Sequence, residues 1–515
     1  MTALAPSQAI AVIGAGTMGA GIVQVAAGVG HTVYIYDTAE EALDRGIAQI
    51  EKFLARAVDK GRLEEAERQA ILGRINRCHR LEELAPAKLV IEAIVENLDI
   101  KRSVFGQLED ILTEDAILAS NTSSISITEI AARLKRPERM VGMHFFNPAP
   151  IMKLVEIVHG LATAPEVADI IFDTAAAWGK KAAHAKSTPG FIVNRVARPF
   201  YAEALRILQE GGADIPTIDA CLKEAGGFRM GPFELMDLIG NDVNFSVTQS
   251  VYNAYFQDPR YRPSLIQQEQ VAAGRLGRKS GQGYYDYRDG ATNPAPATAP
   301  EAPTPAEVTL LGDNRLLDPL IELAENAGIY IKRADADRPD DSIALLEGAC
   351  GFRIGDLSLL LTNGDTATET TAFIDEPVIY FDLALDYRAA ARIAVAKGDQ
   401  LSDDDLAQAV GFFQALGKKV SVIDDCPGLI VMRIVAMLAN EGADAVYQGV
   451  ASPEGVDIAM ENGVNYPKGP MRWAGDIGLE HIEMVLRYLQ DFYGEDRYRT
   501  SPLIKRAVFA GKELV

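Results

Sequence analysis

One histidine and one glutamate in this sequence have the pattern of a proton-transferring base and its orienting partner. His144 is one of six histidines in 515 residues and lies in His144-Phe145-Phe146-Asn147-Pro148. Twelve residues on, Glu156 interrupts the apolar run Leu154-Val155-Glu156-Ile157-Val158. A carboxylate in such a run is costly to bury unpaired, so it requires a cationic or hydrogen-bonding partner. An imidazole exchanges protons near neutral pH, and a carboxylate on one ring nitrogen fixes which nitrogen is left to act as base. The competing reading is an ion pair that serves packing alone, because a single histidine among aromatics is more often structural.

A second constellation points to a dinucleotide. Gly14-Ala15-Gly16-Thr17-Met18-Gly19 has the spacing G-x-G-x-x-G and follows the apolar run Ala9–Ile13. Glycines at these positions permit a tight turn, close approach of backbone amides to a pyrophosphate, and close packing of helix on strand. Asp37 stands at the end of the next apolar run, His31–Tyr36. An acid there accepts hydrogen bonds from both ribose hydroxyls and repels a 2′-phosphate. Thr38-Ala39-Glu40 supplies no arginine to reverse that preference, so NAD is expected over NADP.

These residues need a scaffold, and the chain reads as one. Strands are expected at Ala9–Ile13, His31–Tyr36, Leu89–Ala93, Ile117–Ser120, Met140–Met143 and Leu154–Ile157. A helix is expected after the glycine turn, and a longer polar helical region from Thr38 to about Arg80, opened by a Thr38/Glu41 capping box. Alternating strands and helices indicate a doubly wound parallel sheet of Rossmann type. After Pro189 the pattern is helical, through Ile192–Gln209, Pro216–Glu224, Pro232–Ile239 and Asp242–Tyr255. The stretch Asp289–Glu307, with five prolines and six alanines, reads as an extended semi-rigid linker.

Beyond the linker the sequence repeats itself. Pro189-Gly190-Phe191-Ile192-Val193-Asn194-Arg195 recurs as Pro427-Gly428-Leu429-Ile430-Val431-Met432-Arg433. Gly179-Lys180-Lys181, Gly231-Pro232 and Leu265-Ile266 recur at the same offset of 238 residues. The helical domain is therefore duplicated. Val308–Gly312, a helix at Leu316–Asn326 and a strand at Ile329–Lys332 begin a shortened Rossmann-like domain. Its first turn, Gly312-Asp313-Asn314-Arg315, lacks the three glycines. The expected domains are 1–187, 188–288, a linker at 289–307, a reduced Rossmann-like domain at 308–424, and a second helical domain at 425–515.

Composition narrows the partners. With 72 Asp+Glu against 50 Lys+Arg the formal charge is −22, which disfavours nucleic acids and anionic membranes. Four widely spaced cysteines (Cys78, Cys221, Cys350 and Cys426) show no metal-type spacing and fit a reducing cytoplasm. No run approaches a membrane span and no signal segment precedes Ala9, so a cytoplasmic enzyme is expected.

Six motifs together resemble the L-3-hydroxyacyl-CoA dehydrogenases in order and spacing. They are Gly14–Gly19, Glu92-Ala93-Ile94-Val95-Glu96-Asn97, Ser120-Asn121-Thr122-Ser123-Ser124, His144–Pro148, Pro189–Arg195 and Met230-Gly231-Pro232-Phe233-Glu234. The resemblance covers residues 8–288 closely. It implies that His144 is the general base, that Glu156 holds its imidazole, and that Ser123 and Asn194 bond the substrate oxygen and the histidine region. It puts Glu96, Lys101, Asn121, Asn147 and Lys279 near the cofactor's ribose and nicotinamide and the thioester. Lys52, Arg56 and Lys60 recur every four residues, and the resemblance implies that Lys60, with Arg56 beside it, meets the coenzyme A phosphates. The longer architecture resembles the bacterial enzymes of phenylacetate and related aromatic degradation. It implies 3-hydroxyadipyl-CoA as substrate, the alternatives being 3-hydroxybutyryl-CoA or the substrates of general β-oxidation. A rival of another class is a non-catalytic nucleotide-binding scaffold.

The repeat departs from the family where chemistry needs it. Met432 replaces Asn194, no counterpart of the Arg278–Gly281 segment follows Gly511-Lys512, and no counterpart of His144 is evident in the middle domain. One working site is expected, with the two helical copies packed on each other inside one chain. Whether the chain also forms a homodimer stays open at this point. Arginines that could hold a terminal carboxylate exist, Arg229 among them, but the sequence does not place them.

Overall fold

The computed structural model describes residues 3–312, 314–333, 343 and 346–514; Asp313 of the altered glycine turn lies outside the described residues. The first sheet region runs β1 (Ala9–Ile13), α1 (Thr17–Gly28), β2 (Val33–Tyr36), α2 (Glu40–Asp59), α3 (Glu65–Leu72), β3 (Ile75–Cys78), β4 (Ala87–Glu92), α4 (Leu98–Ile111), β5 (Ile117–Ser120), α5 (Ile127–Ala131), β6 (Met140–Phe145), β7 (Leu154–His159), α6 (Pro165–Ala177) and β8 (Lys181–Lys186). Helices α7 (Val193–Val196), α8 (Arg198–Gln209), α9 (Ile215–Glu224), α10 (Pro232–Ile239), α11 (Asn241–Ala254) and α12 (Leu265–Ala272) follow. The reduced Rossmann-like part comprises β9 (Glu307–Leu311), α13 (Asp318–Asn326), β10 (Tyr330–Arg333), β11 (Gly351–Ile354), β12 (Leu357–Leu361), α14 (Ala367–Ile374), β13 (Val378–Phe381), β14 (Arg392–Lys397), α15 (Asp403–Ala415) and β15 (Lys419–Val422). The chain closes with α16 (Val431–Tyr447), α17 (Pro453–Gly463), α18 (Pro470–Ile477), α19 (Leu479–Tyr493) and α20 (Pro502–Ala510).

Two compact units result, one of residues 1–195 with 448–465, the other of residues 196–447 with 466–515. In the first, eight strands are ordered β3-β2-β1-β4-β5-β6-β7-β8. The central strands β1 and β4 are apolar on both faces because helices cover both, which is why they read as continuous hydrophobic runs. All neighbours are parallel except β6 and β7, which are antiparallel, so the sheet is mixed rather than wholly parallel. Residues 146–153 are too few for a helical crossover, and the chain turns straight back. Helix α17, from the second helical copy, packs on β7 and β8.

The polar stretch 38–80 is two helices and an edge strand rather than one helical region. Gly61, left-handed at φ 64°, ends the first helix, and β3 escapes a hydrophobicity reading because Asn76 and Arg77 at the sheet edge are exposed. The Thr38/Glu41 capping box does not form. Asp37 Oδ1 accepts the Ala39 amide at 3.0 Å, which makes Ala39 the residue before the helix and leaves Thr38 exposed. Strand β8 was equally hidden, its Lys-Ala-Ala-His-Ala-Lys being short of large apolar residues. The helix expected at Ile192–Gln209 is broken at Ala197, between α7 and α8.

The second unit holds a seven-stranded sheet, β10-β9-β11-β12-β13-β14-β15, with helices α8–α12 of the first set and α16, α18, α19 and α20 of the second. Helices α8 and α16 pack together as the main helix pair, and α9 of the first copy lies on β14. The proline-rich segment runs as a strap along this sheet: Ala299 N–H bonds Val420 O at 2.8 Å, and Ala302 N–H bonds Gln414 Oε1 at 2.9 Å. The 238-residue offset reaches back into the sheets. It carries β6, β7, α6 and β8 onto β13, β14, α15 and β15, and α10 onto α18.

Candidate active site

His144 and Glu156 sit directly opposite each other in the antiparallel β6–β7 register. Nδ1 of His144 lies 2.6 Å from Glu156 Oε2, with both side chains almost fully buried. Phe146 and Phe191 wall the imidazole, their ring centroids 4.5 and 5.8 Å away. The other carboxylate oxygen is also occupied: Glu156 Oε1 accepts the amides of Ile192 (3.1 Å) and Val193 (2.9 Å) at the start of α7. The Pro189-Gly190-Phe191 turn aims those amides, through two successive left-handed residues, Gly190 at φ 76° and Phe191 at φ 46°. Asn194, half-buried on α7, follows directly. Glu156 thus ties the imidazole to the helix that carries Asn194.

The glycine turn fits a pyrophosphate. Gly14 has φ +100° and a Cβ there would fall 2.4 Å from Ala93 O; one at Gly19 would fall 1.8 Å from Gly14 O. These two glycines let the strands and α1 close on each other. Gly16 differs, since a Cβ there meets nothing within 4 Å and would fill the open cradle before α1. Thr17 and Met18 begin that helix, and no side chain caps its amides. Asp37, half-buried at the end of β2, accepts the Ala15 amide at 2.8 Å through Oδ2, so it also holds the turn in shape.

Between turn and histidine lies a charge cluster of which the sequence reading held only part. Glu92, fully buried at the end of β4, accepts Lys101 Nζ (2.6 Å), Ser120 Oγ (2.7 Å) and the Ile94 amide (2.7 Å). Lys101 is 1% exposed and also reaches Glu96 Oε2 at 3.2 Å, so its charge is spent on two carboxylates. Glu96 accepts Thr122 Oγ1 (2.5 Å) and Ser124 Oγ (2.8 Å), and the Ser123 amide at 3.3 Å. Burial would raise its carboxyl, but these hydroxyls and the Lys101 ammonium hold it below the ordinary value. Asn121 Oδ1 accepts the Phe145 amide at 2.8 Å, fixing the residue after the histidine. Ser123 and Asn147 are exposed.

Glu92 was missed, although an acid closing the apolar run Leu89-Val90-Ile91 was its signal. Lys180 was noted only as part of a repeat. Its ammonium donates to the carbonyls of Ala149 (2.5 Å) and Met152 (2.8 Å), pinning the loop between His144 and Glu156. Burial lowers it to about 8. In the repeat Lys418 does the same for Ala390 O at 2.6 Å. Lys52, Arg56 and Lys60 are exposed, the last just past the end of α2. Lys279 belongs to the second unit and pairs with Asp242 at 2.5 Å. Arg229 is exposed on a loop.

As the sequence leads one to expect, the reduced domain holds no histidine at the position of His144. The offset of 238 residues puts Asp382 at the position of His144 and Ala394 at that of Glu156. Asp382 takes over the capping directly, accepting the amides of Ile430 (3.1 Å), Val431 (2.7 Å) and Met432 (2.9 Å). Burial pushes its carboxyl up to about 6 against those bonds. The amide acceptor is kept and the base is gone.

A Rossmann sheet with an open glycine cradle, an acid at the end of its second strand and a buried histidine–carboxylate pair has the make-up of an NAD-dependent oxidoreductase. Comparisons with known proteins narrow this. The family model for the 3-hydroxyacyl-CoA dehydrogenase NAD binding domain matches residues 9–188, and that for its C-terminal domain matches twice, at 190–287 and 428–513. A model of the 3-hydroxybutyryl-CoA dehydrogenase reduced Rossmann-fold domain matches 359–427. The 3-hydroxyadipyl-CoA dehydrogenase of Escherichia coli K12 is 43% identical over 97% of both chains. A crystal structure of 3-hydroxybutyryl-CoA dehydrogenase from E. coli K12 superposes with a TM-score of 0.87, at 42% identity and 98% coverage of both chains. The probable 3-hydroxybutyryl-CoA dehydrogenase of Bacillus subtilis is 44% identical over 97% of its own length but 54% of this chain. The chain belongs to the 3-hydroxyacyl-CoA dehydrogenase family and is an NAD-dependent dehydrogenase.

Proposed function

We propose that this enzyme oxidises (3S)-3-hydroxyadipyl-CoA to the 3-oxoacyl-CoA, with His144 as the base that takes the C3 hydroxyl proton. The observation that carries the reading is the buried His144–Glu156 pair, in which one carboxylate orders both the imidazole and the start of α7. With Nδ1 held by Glu156, Nε2 is the nitrogen left to accept a proton. NAD, when bound, takes the two electrons and hydrogen that leave C3. Asn194 and Ser123 supply donors to the oxygen on which negative charge grows. Glu96, Asn121 and Asn147 line the cofactor side, with Lys101 acting through Glu96 rather than by direct contact. Gly14, Gly16, Thr17, Met18, Gly19 and Asp37 hold the dinucleotide. Lys60 and Arg56 meet the coenzyme A phosphates.

The adipyl substrate rests on the full-length relative named for it, since half-length relatives carry the 3-hydroxybutyryl name. The full-length E. coli K12 crystal structure named for 3-hydroxybutyryl-CoA dehydrogenase favours the second reading, a short unbranched acyl chain. Parallel NADH-coupled kinetics on the two thioesters decide between them. A kcat/KM for 3-hydroxybutyryl-CoA equal to or above that for 3-hydroxyadipyl-CoA would refute the adipyl assignment. The acidic surface and four buried, unpaired cysteines support a cytoplasmic enzyme without nucleic-acid or membrane partners. A further homodimer is compatible with this reading and is read directly by light scattering.

A further inference from the structure

A cavity of about 450 Å³ lies wholly within the second unit, between α8 and the segment leading into α12. Five arginines line it (Arg198, Arg206, Arg260, Arg262 and Arg497) and no carboxylate does, in a chain whose formal charge is −22. Three of the five have acidic neighbours outside the lining. Arg206 pairs with Glu495 at 2.7 Å and Arg260 with Asp258 at 2.8 Å, while Arg497 stands 3.6 Å from Glu203 and Glu495. Arg262 stands exposed at the mouth.

Arg198 differs from all of these. It is 5% exposed, and among the described residues no carboxylate pairs with it. One amino group donates to Thr248 Oγ1 at 3.0 Å, and Nε, buried, has no acceptor. The buried Tyr466 hydroxyl, close enough to feel the Arg198 charge, also has no partner. A guanidinium does not shed its proton in a protein, so burial leaves a real charge that needs an anion. Helix packing does not demand an arginine here: the repeat has Ala436 at the corresponding position, fully buried in the unbroken α16. The remaining wall mixes apolar and aromatic residues, Leu205, Leu265 and Tyr261 among them, with the uncharged polar Gln209, Thr248, Ser264 and Gln267. Its apolar part offers a surface to the methylene groups of an aliphatic carboxylate, which a bare phosphate would not use.

We propose that this cavity is a binding site for a short aliphatic carboxylate, with the Arg198 guanidinium as its buried anchor. Two sources share that chemistry: a free dicarboxylate, or the terminal carboxylate of an acyl thioester. The second is raised by the position of Arg198, four residues after Asn194. The inference does not depend on which acyl-CoA the enzyme prefers.

The test titrates the NAD-loaded enzyme with adipate by calorimetry. One molecule should bind per chain, and Arg198→Met should weaken it at least about tenfold, as expected for loss of a charge-assisted fork. In case Arg198→Met does not fold, Arg262→Glu, exposed at the mouth, must weaken adipate at least about threefold by repulsion. Kinetics then separate the sources. If the anchor serves the substrate, Arg198→Met raises KM for 3-hydroxyadipyl-CoA about tenfold and leaves 3-hydroxybutyryl-CoA within about twofold. If it serves a free carboxylate, both KM values stay and only adipate binding is lost. Adipate binding that is absent from the wild type, or unchanged in the folded variants, overturns the proposal. These outcomes are independent of the substrate-preference assay, which compares wild-type kcat/KM values alone.

Discussion

Replacing Glu156 by glutamine separates the two tasks that its carboxylate performs. Oε1 accepts two backbone amides, from Ile192 and Val193, and Oε2 faces Nδ1 of His144 at 2.6 Å. In Glu156→Gln the amide oxygen must take the Oε1 place, because an NH₂ there would confront two donors. The NH₂ group then faces Nδ1 and forces it to accept, which puts the imidazole proton on Nε2, where the base must be bare. Turnover should fall by about 10² to 10⁴-fold, the range spanned by loss of a general base and by a wrong tautomer. Both amides keep an acceptor, so stability should fall by only about 1 kcal/mol. Glu156→Ala is the contrast. It orphans two buried donors at about 1–3 kcal/mol each, and stability as well as turnover should collapse. NADH absorbance measures the first quantity and urea unfolding the second. A folded Glu156→Gln enzyme turning over within about threefold of wild type would refute the orienting role.

Three further outcomes are expected. Asp37→Ala should weaken NAD more than NADP and narrow the preference between them, and because Asp37 also holds the Ala15 amide it should lower thermal stability slightly; equal use of both cofactors by the wild type would remove the ribose role. Asp219, buried beneath the start of α10, is pushed by burial up to about 7, above the 3.8 of an ordinary aspartate, despite bonds from Phe233 N–H, Glu234 N–H and the Tyr285 hydroxyl. The folded state therefore holds a proton that the unfolded chain has released between about pH 4 and 7, and this group's contribution to stability declines as pH rises through that window. The melting temperature of Asp219→Asn relative to wild type should climb from pH 5 to pH 8, and a difference independent of pH would show that the carboxyl titrates normally. Arg433→Met should cost about 1.5–3 kcal/mol in urea unfolding, because it removes the nearest cation from the buried Glu203 carboxylate, 2.9 Å away, and leaves it Arg497 at 3.6 Å and the Tyr498 hydroxyl; an unchanged midpoint would show that the pair carries no weight.

How far the sequence reaches depends on what each residue must satisfy locally. The glycine turn, β1 and β4 were legible because strands buried on both faces have few alternatives to apolar residues. His144 and Glu156 were legible as a suspicion, since a carboxylate in an apolar strand demands a partner. Their facing register was not, because it follows from a turn too short for a crossover. Edge strands β3 and β8 stayed hidden, for an edge tolerates Asn76, Arg77 and Lys181 that a central strand would not. The Thr38/Glu41 spacing misled because Asp37 had already claimed the turn from outside the helix. Lys180 and Arg198 were invisible as site residues: one acts on two carbonyls, and the other is defined by the carboxylate it lacks.

The duplicated half keeps one class of residue and discards another, and the division falls between packing and chemistry. At the offset of the repeat, His144, Glu156 and Asn194 are replaced by Asp382, Ala394 and Met432. The amides that Glu156 caps still find an acceptor in Asp382, and the loop that Lys180 pins is still pinned by Lys418. Across the α8–α16 packing the residues recur in reciprocal pairs: the Tyr498 hydroxyl donates to Glu203 at 2.9 Å, and the Tyr261 hydroxyl to Glu441 at 2.6 Å. Glu203 and Glu441 are themselves separated by the 238-residue offset, so the two helical copies meet about an approximate two-fold axis within one polypeptide. A second active site would add nothing to that contact. A face that buries apolar helices and charged pairs cannot be erased without exposing both, because a stranded buried charge is more costly than the pair it came from. The repeat therefore persists as the partner surface of the first helical copy, with its own chemistry gone.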